Sequence, residues 1–194
     1  DGGCLVIPDD HGPDTVAAAM ARHRVSFLPT TPTFLNLLLV SGALARHDLA
    51  ALELVSYGAE PMPAETLARL RGALPGVRLQ QTYGLTELGI MSAKSQSSDS
   101  LWVKVGGTGY QTRVVDGQLQ IKAEQAMLGY LNAPSPFTAD GWYRTGDVVI
   151  EDGEWVRILG RREEIINVGG RKVYPADLDQ AMAVIAQVGQ KMRQ

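Results

Sequence analysis

Five side chains in three short stretches are of the types that together handle a nucleotide. In "LQQTYGLTELG" (residues 79–89) the ring of Tyr83 is followed by Gly84 and then by the hydroxyl of Thr86 beside the carboxylate of Glu87. An aromatic face offers a base a platform. A hydroxyl can hydrogen-bond a phosphate oxygen, and a carboxylate is an oxygen ligand for a hard cation such as Mg²⁺. In "YRTGD" (residues 143–147) the final Asp147 has two oxygens that can each accept from a hydroxyl of a sugar. In "GRREEIINVGGRKVYP" Arg161 follows a glycine and precedes a charged cluster and the pair Gly169-Gly170. Each stretch also has a plainer reading: a turn closing a strand, a hairpin turn with a solvated acid, and a surface hairpin with a charged face. Their joint occurrence in this order favours the site.

The elements that must position these residues are legible up to about Gly84. "CLVIP" has the composition of a buried strand, with Cys4 as one of its small apolar residues. "DTVAAAMAR" (residues 14–22) has helical spacing behind an Asp cap. "VSFLP" predicts a second strand, residues 32–41 a helix, "LELVSYG" a third strand, "PAETLARLRGAL" a helix opening on proline, and "VRLQQTYG" a fourth strand. Strands alternating with helices imply a mostly parallel sheet in an α/β layer. In such sheets ligands lie beyond the carboxyl ends of the strands, where the loops "YGAEPMP" and "YGLTELG" begin.

Beyond this layer the texture changes. "SAKSQSSDS" (residues 92–100) reads as a polar, mobile connector. From residue 101 to 161 short β-type runs are punctuated by Asp-Gly, which predicts hairpins in a small barrel or sheet packed on the first layer. After "GRREE" the pattern predicts a short hairpin, a proline, and a helix capped around Asp177. The predicted organisation is 1–91 α/β layer, 101–161 β-rich part, both in one large domain, with 162–194 as the hinge and start of a small second domain.

Composition bounds the alternatives. The chain has 194 residues, 45% hydrophobic and 20% charged, enough for a real core. A net charge of −3 without long single-sign runs offers nothing to a nucleic-acid partner. One cysteine excludes an internal disulfide and a cysteine metal site, and favours the cytoplasm. No apolar run reaches the length of a membrane span, and no signal peptide opens the chain.

The ordered motifs "SYGAEP", "QTYGLTE", "GYLN", "GWYRTGD" and "GRREEIINVGGRKVYP" together resemble the acyl- and aryl-adenylate-forming superfamily, from about residue 4 to about residue 180. Its members include acyl-CoA synthetases, adenylation domains of nonribosomal peptide synthetases, and luciferases. The resemblance implies two steps: a carboxylate attacks the α-phosphate of ATP to give an acyl-adenylate and pyrophosphate, then the thiol of CoA or of a carrier protein's phosphopantetheine displaces AMP. It also implies roles. Tyr83 stacks on adenine, with the Gly58-Ala59-Glu60 backbone on the other side of the base. Thr86 hydrogen-bonds the α-phosphate, Glu87 holds Mg²⁺, and Asp147 grips the ribose with help from Arg161. Glu163 is implied as the hinge of a small lid, and Gly169 and Gly170 as the lining of the thiol channel, where a glycine backbone lets the thiol arm approach.

The acid pocket is implied to draw on "LPTTPTFLNLL", with Phe34 and Leu35 as candidates, and on Gly89. Phe34 reads equally as plain core. No charged residue stands in that stretch to meet an ammonium group, and "VYPADLD" looks like acyl-CoA and aryl-acid ligases. Both features favour a fatty or aryl acid over an amino acid. Two parts of the superfamily's pattern are expected outside these residues: the Ser/Thr/Gly-rich phosphate loop before Asp1 and the lid lysine after Gln194. Lys191 does not match the lysine pattern and reads as a solvated tail residue. The expectation is therefore a fragment of an ATP-dependent acid–thiol ligase, inactive in isolation. Its alternatives are a non-catalytic nucleotide- or acyl-binding module and, within the superfamily, an amino-acid adenylation domain.

Overall fold

The computed structural model describes residues 2–89, 91–168, 171–174 and 178. The first layer contains α1 (Pro13–Arg22), β1 (Phe27–Thr30), α2 (Pro32–Val40), α3 (Ala43–Arg46), β2 (Leu54–Tyr57), α4 (Ala64–Ala73) and β3 (Arg78–Gln81). The strands form a parallel sheet in the order β1-β2-β3, with Tyr57 opposite both Thr30 and Gln81. Parallel strands need a crossover, and the intervening helices supply it. Leu35, Leu38, Leu70, Val55 and Leu79 are almost wholly buried between helices and sheet. Each such side chain contributes about 1.5–3 kcal/mol by leaving water.

Two readings of this layer are corrected. "CLVIP" forms no strand: residues 2–7 have no regular structure, Cys4 is exposed, and Leu5 and Ile7 are 83% and 80% exposed. Among the described residues β1 pairs only with β2, and this segment does not take up its open edge. Secondly, α1 starts at Pro13 with Asp14 inside its first turn; the acid before the helix is Asp10, which accepts from Gly12 N at 2.6 Å and from the Thr15 hydroxyl at 3.0 Å. Asp14 instead reaches Arg46 Nη2 at 2.6 Å and His47 Nε2 at 3.0 Å, tying α1 to the end of α3. The layer also holds α3, a single turn for which the sequence predicts no element.

The second layer is an antiparallel sheet of β4 (Ser92–Ser95), β5 (Val103–Gly106), β6 (Tyr110–Val115), β7 (Gln118–Ala123), β8 (Tyr143–Asp152) and β9 (Trp155–Arg161), in the order β4-β5-β9-β8-β7-β6. The predicted Asp-Gly hairpin is formed at Asp116 and Gly117, whose φ values of +51° and +73° match the turn that a twisted hairpin favours. The expected connector is a strand at its start. β4 pairs with β5, and its serines form the seam between the two sheets. Gln81 N donates to the Ser95 hydroxyl at 2.7 Å, and Leu79 N donates to the Ser98 hydroxyl at 3.1 Å. Serine side chains thus satisfy donors on the open edge of β3, a use that polarity alone does not reveal.

"YRTGD" is also corrected. It is the first half of the ten-residue strand β8, not a turn. The chain passes Gly146 at φ +78° without leaving the sheet, and the register against β9 shifts between Val148 and Val149. Such an irregularity bends the strand rather than ending it. After β9 a 3-10 turn covers Arg162–Glu164, and β10 (Ile166–Val168) pairs antiparallel with β11 (Arg171–Val173), as the predicted short hairpin requires. Gly169, Gly170, the helix expected near Asp177, and Lys191 lie outside the described residues.

Candidate functional site

A cavity of about 440 Å³ opens where the carboxyl ends of β2 and β3 meet the second sheet. Its lining includes Ala59, Glu60, Tyr83, Asp147, Arg161 and Glu163. Residues as far apart in the sequence as Ala59 and Glu163 therefore face one space. The two loops singled out at the strand ends supply Ala59 and Tyr83, and β8 and β9 supply the acid and the arginine.

Asp147 is the centre of this arrangement. Residues 143, 145, 147 and 149 alternate inward along β8, so Tyr143, Thr145 and Asp147 share one buried face. Asp147 and Arg161 are register partners across β8 and β9, and Arg161 Nε lies 3.0 Å from Asp147 Oδ1. Arg161 Nη1 also donates to the Thr145 carbonyl at 3.2 Å. The other carboxylate oxygen accepts from the Tyr83 hydroxyl. Thr145 completes the support: its hydroxyl donates to the Leu119 carbonyl at 2.8 Å and accepts from Asp147 N at 3.0 Å.

Burial sets the protonation of this pair. Loss of water raises the Asp147 carboxyl above the ordinary aspartate value, and the Tyr83 bond and the Arg161 charge oppose that rise. Burial, then the charge of Asp147, pushes the Tyr83 phenol well above its usual range. Tyr83 accordingly keeps its proton and acts as a donor.

The loop after β2 is shaped by close packing. A Cβ on Gly58 would stand 2.4 Å from the Thr82 hydroxyl oxygen and 2.9 Å from the Thr82 carbonyl oxygen. Thr82 N and its hydroxyl both donate to the Tyr57 carbonyl, at 2.7 Å and 3.1 Å, holding the two strand ends together. Ala59 follows at φ +70°, a conformation that non-glycine residues rarely adopt. The Glu60 carboxylate turns away to the start of α2, accepting from Thr33 N at 2.7 Å and the Thr33 hydroxyl at 2.9 Å. A carboxylate is favoured at that helix end.

Thr86 and Glu87 sit in the tight turn between Leu85 and Gly89, which bridge one another. Thr86 is exposed and neither residue lines the cavity. Glu87 Oε1 accepts from the Tyr130 hydroxyl at 2.6 Å, a bond that holds the carboxyl below the ordinary glutamate value. The Tyr143 hydroxyl lies 3.5 Å from that of Tyr130. No group of three or more His, Cys, Asp or Glu side chains that could hold a metal occurs among the described residues. The lone Glu87 carboxylate suits a cation that brings most of its own ligands, as Mg²⁺ does with water and phosphate oxygens.

The remaining candidates lie elsewhere. Phe34 is half-buried against the core of the first layer and Leu35 is fully buried within it; neither lines the cavity. Gly89 has φ +77°, with the Tyr110 hydroxyl 3.6 Å from where its Cβ would be. Residue-by-residue reading assigned no role to Tyr130, Tyr143 or Thr145. The signals were present: Tyr130 is the tyrosine of "GYLN", and the other two belong to "YRTGD".

The chain resembles known proteins over most of its length. Residues 1–143 match the model of the family described as AMP-binding enzyme. The chain is 30% identical over 211 residues to 4-coumarate–CoA ligase 5 of Oryza sativa subsp. japonica, covering 96% of this chain and 39% of that protein. It is 29% identical over 178 residues to a 3-[(3aS,4S,7aS)-7a-methyl-1,5-dioxo-octahydro-1H-inden-4-yl]propanoyl:CoA ligase of Rhodococcus jostii (strain RHA1), covering 87% of this chain and 35% of that protein. Among solved structures, ATP-bound MatB from Rhodopseudomonas palustris superposes with a TM-score of 0.67 at 28% identity, over 86% of this chain and 36% of that one. The anthranilate CoA ligase AuaEII, in complex with anthranoyl-AMP, shares the fold with a TM-score of 0.76 at 23% identity, over 92% of this chain and 38% of that one. The chain thus spans about two-fifths of the length of such relatives. With most of its length matched by that family's model, the chain belongs to the AMP-binding enzyme family.

Proposed function

We propose that this chain is the nucleotide-handling part of an ATP-dependent acid–thiol ligase. In the first step a carboxylate oxygen of the acid bonds to the α-phosphorus of ATP, the α–β phosphoanhydride bond breaks, and pyrophosphate leaves. In the second a thiol sulfur, of CoA or of a carrier protein's phosphopantetheine, bonds to the acyl carbon, its proton is released to solvent, and AMP leaves. Such chemistry needs positioning and charge neutralisation more than a protein nucleophile. The observation that carries the reading is the convergence of Tyr83, Asp147 and Arg161 on one cavity at the strand ends.

In this reading adenine lies against Tyr83 and the 58–60 backbone, and the ribose hydroxyls take the place of the Tyr83 hydroxyl on Asp147, beside Arg161. Thr86 serves the α-phosphate and Glu87 the Mg²⁺ ion. Glu163 is the hinge, and Gly169 and Gly170 serve the thiol channel. The likeness to 4-coumarate–CoA ligases supports an aryl acid and CoA as substrates. Gly89 remains a candidate for the acid pocket, and Phe34, packed against the core, a weaker one.

Pyrophosphate exchange into ATP, measured across a panel of aryl, fatty and amino acids, tests the proposal. The full-length protein should exchange with an aryl or fatty acid, whereas the 194 residues alone should bind nucleotide without exchanging. Failure of the full-length protein with every acid, with nucleotide binding retained, would favour a non-catalytic binding module.

A further inference from the structure

Glu87 is held by a connection that lies far from it in sequence. The segment between β7 and β8 is fastened to the Glu87 turn at two points: Met127 N donates to the Glu87 carbonyl at 2.7 Å, and the Tyr130 hydroxyl donates to Glu87 Oε1 at 2.6 Å. Upstream, Glu124 N donates to the Gly109 carbonyl at 3.2 Å, anchoring the start of the segment to the hairpin sheet. Packing does little to hold the ring. Leu128 and Leu131 on either side of Tyr130 are fully exposed, and Tyr130 itself is 46% exposed. The polar contacts therefore define its place.

We propose that Tyr130 is a positioning residue that fixes the Glu87 carboxylate for a divalent cation, an inference that rests on the cation role proposed for Glu87. The hydroxyl bond to Oε1 orients the plane of the carboxylate toward the cation. Tyr143, buried at the start of β8, brings its hydroxyl to 3.5 Å from that of Tyr130, so the orientation is referred to the rigid sheet that also carries Asp147. Partners of this kind govern how well a ligand side chain meets its ion.

The test is Mn²⁺ binding to the full-length protein in the presence of α,β-methylene-ATP, read by electron paramagnetic resonance of free Mn²⁺. Tyr130→Phe removes only the hydroxyl and should weaken Mn²⁺ by about 10-fold, the lower range for loss of such a partner. Its melting temperature and its affinity for the nucleotide in EDTA should stay unchanged. Leu131→Ala, in the same segment with a fully exposed side chain, should leave Mn²⁺ affinity as it was. Glu87→Gln separates the two readings. Weak Mn²⁺ binding by Glu87→Gln with normal binding by Tyr130→Phe overturns the positioning role alone. Normal binding by Glu87→Gln overturns the cation role of Glu87 and this inference with it. Equal weakening by Tyr130→Phe and Leu131→Ala assigns the effect to a loosened segment and also overturns the inference.

Discussion

The Tyr83 hydroxyl donates to the Asp147 carboxylate, joining the end of the parallel sheet to the inner face of the antiparallel one across 64 positions of sequence. The bond closes one wall of the cavity and gives a buried acid one of its two main partners, the other being Arg161. A ribose hydroxyl offers Asp147 the same kind of donor that Tyr83 offers now.

Burial makes Asp147 a cost to the fold. Its carboxyl is raised above the ordinary value, so the native state holds the proton more tightly than the unfolded chain does. Stability from this group is then fully present below the ordinary aspartate pKa and is lost as pH rises through the raised one. Asp147→Asn should therefore melt higher than the wild type at pH 7, with the gap closing as the pH falls to about 4. The same mutant should raise KM for ATP roughly 10-fold through loss of a charge-assisted contact. A mutant that melts lower at pH 7 would mean that Tyr83 and Arg161 outweigh burial.

Gly58 is expected to tolerate no side chain. An added Cβ would meet the Thr82 backbone as well as its hydroxyl, and backbone cannot rotate away. Gly58→Ala should cost about 1–3 kcal/mol in urea unfolding, the range for overpacking, and should weaken nucleotide binding by displacing Ala59. Wild-type stability in this mutant would show that the strand ends part easily.

The serine seam gives a third expectation. Gln81 is buried, and its N–H donates to the Ser95 hydroxyl, so Ser95→Ala should cost about 1–3 kcal/mol by orphaning that donor. Ser97→Ala, at an exposed position whose hydroxyl donates to nearby Asp99, should change stability by less than about 0.5 kcal/mol. Equal effects at the two sites, measured by chemical unfolding, would remove Ser95 from the seam.

Glu163 occupies the 3-10 turn after β9 and lines the cavity beside Arg161. Proline fixes φ at a value that such turns use, so Glu163→Pro should hold the turn in one pose. If the proposed function holds, one half-reaction of the full-length protein should survive and the other collapse, with pyrophosphate exchange and thioester formation measured separately. Equal loss of both would indicate misfolding, and loss of neither would place the hinge elsewhere.

The alternation of strand and helix in the first layer was legible in the sequence because it is written locally. Apolar spacing and Pro32 mark α2, and the Asp116-Gly117 pair sets its hairpin without help from distant residues. The motifs carrying Tyr83, Asp147 and Arg161 could likewise be read as short words. Partners were not legible in this way. "CLVIP" has strand composition but pairs with no described strand, leaving the outer edge of β1 open, and "SAKSQSSDS" looks like a connector although its serines meet the open donors of β3. "YRTGD" has the residues of a turn, yet β7 and β9 on either side hold it extended. The bonds from Tyr130 to Glu87 and from Tyr83 to Asp147 likewise depend on which segments the fold brings together. Local periodicity follows from the geometry of one element, whereas a ladder partner or a side-chain hydrogen-bond partner needs a second segment, which only the tertiary structure supplies.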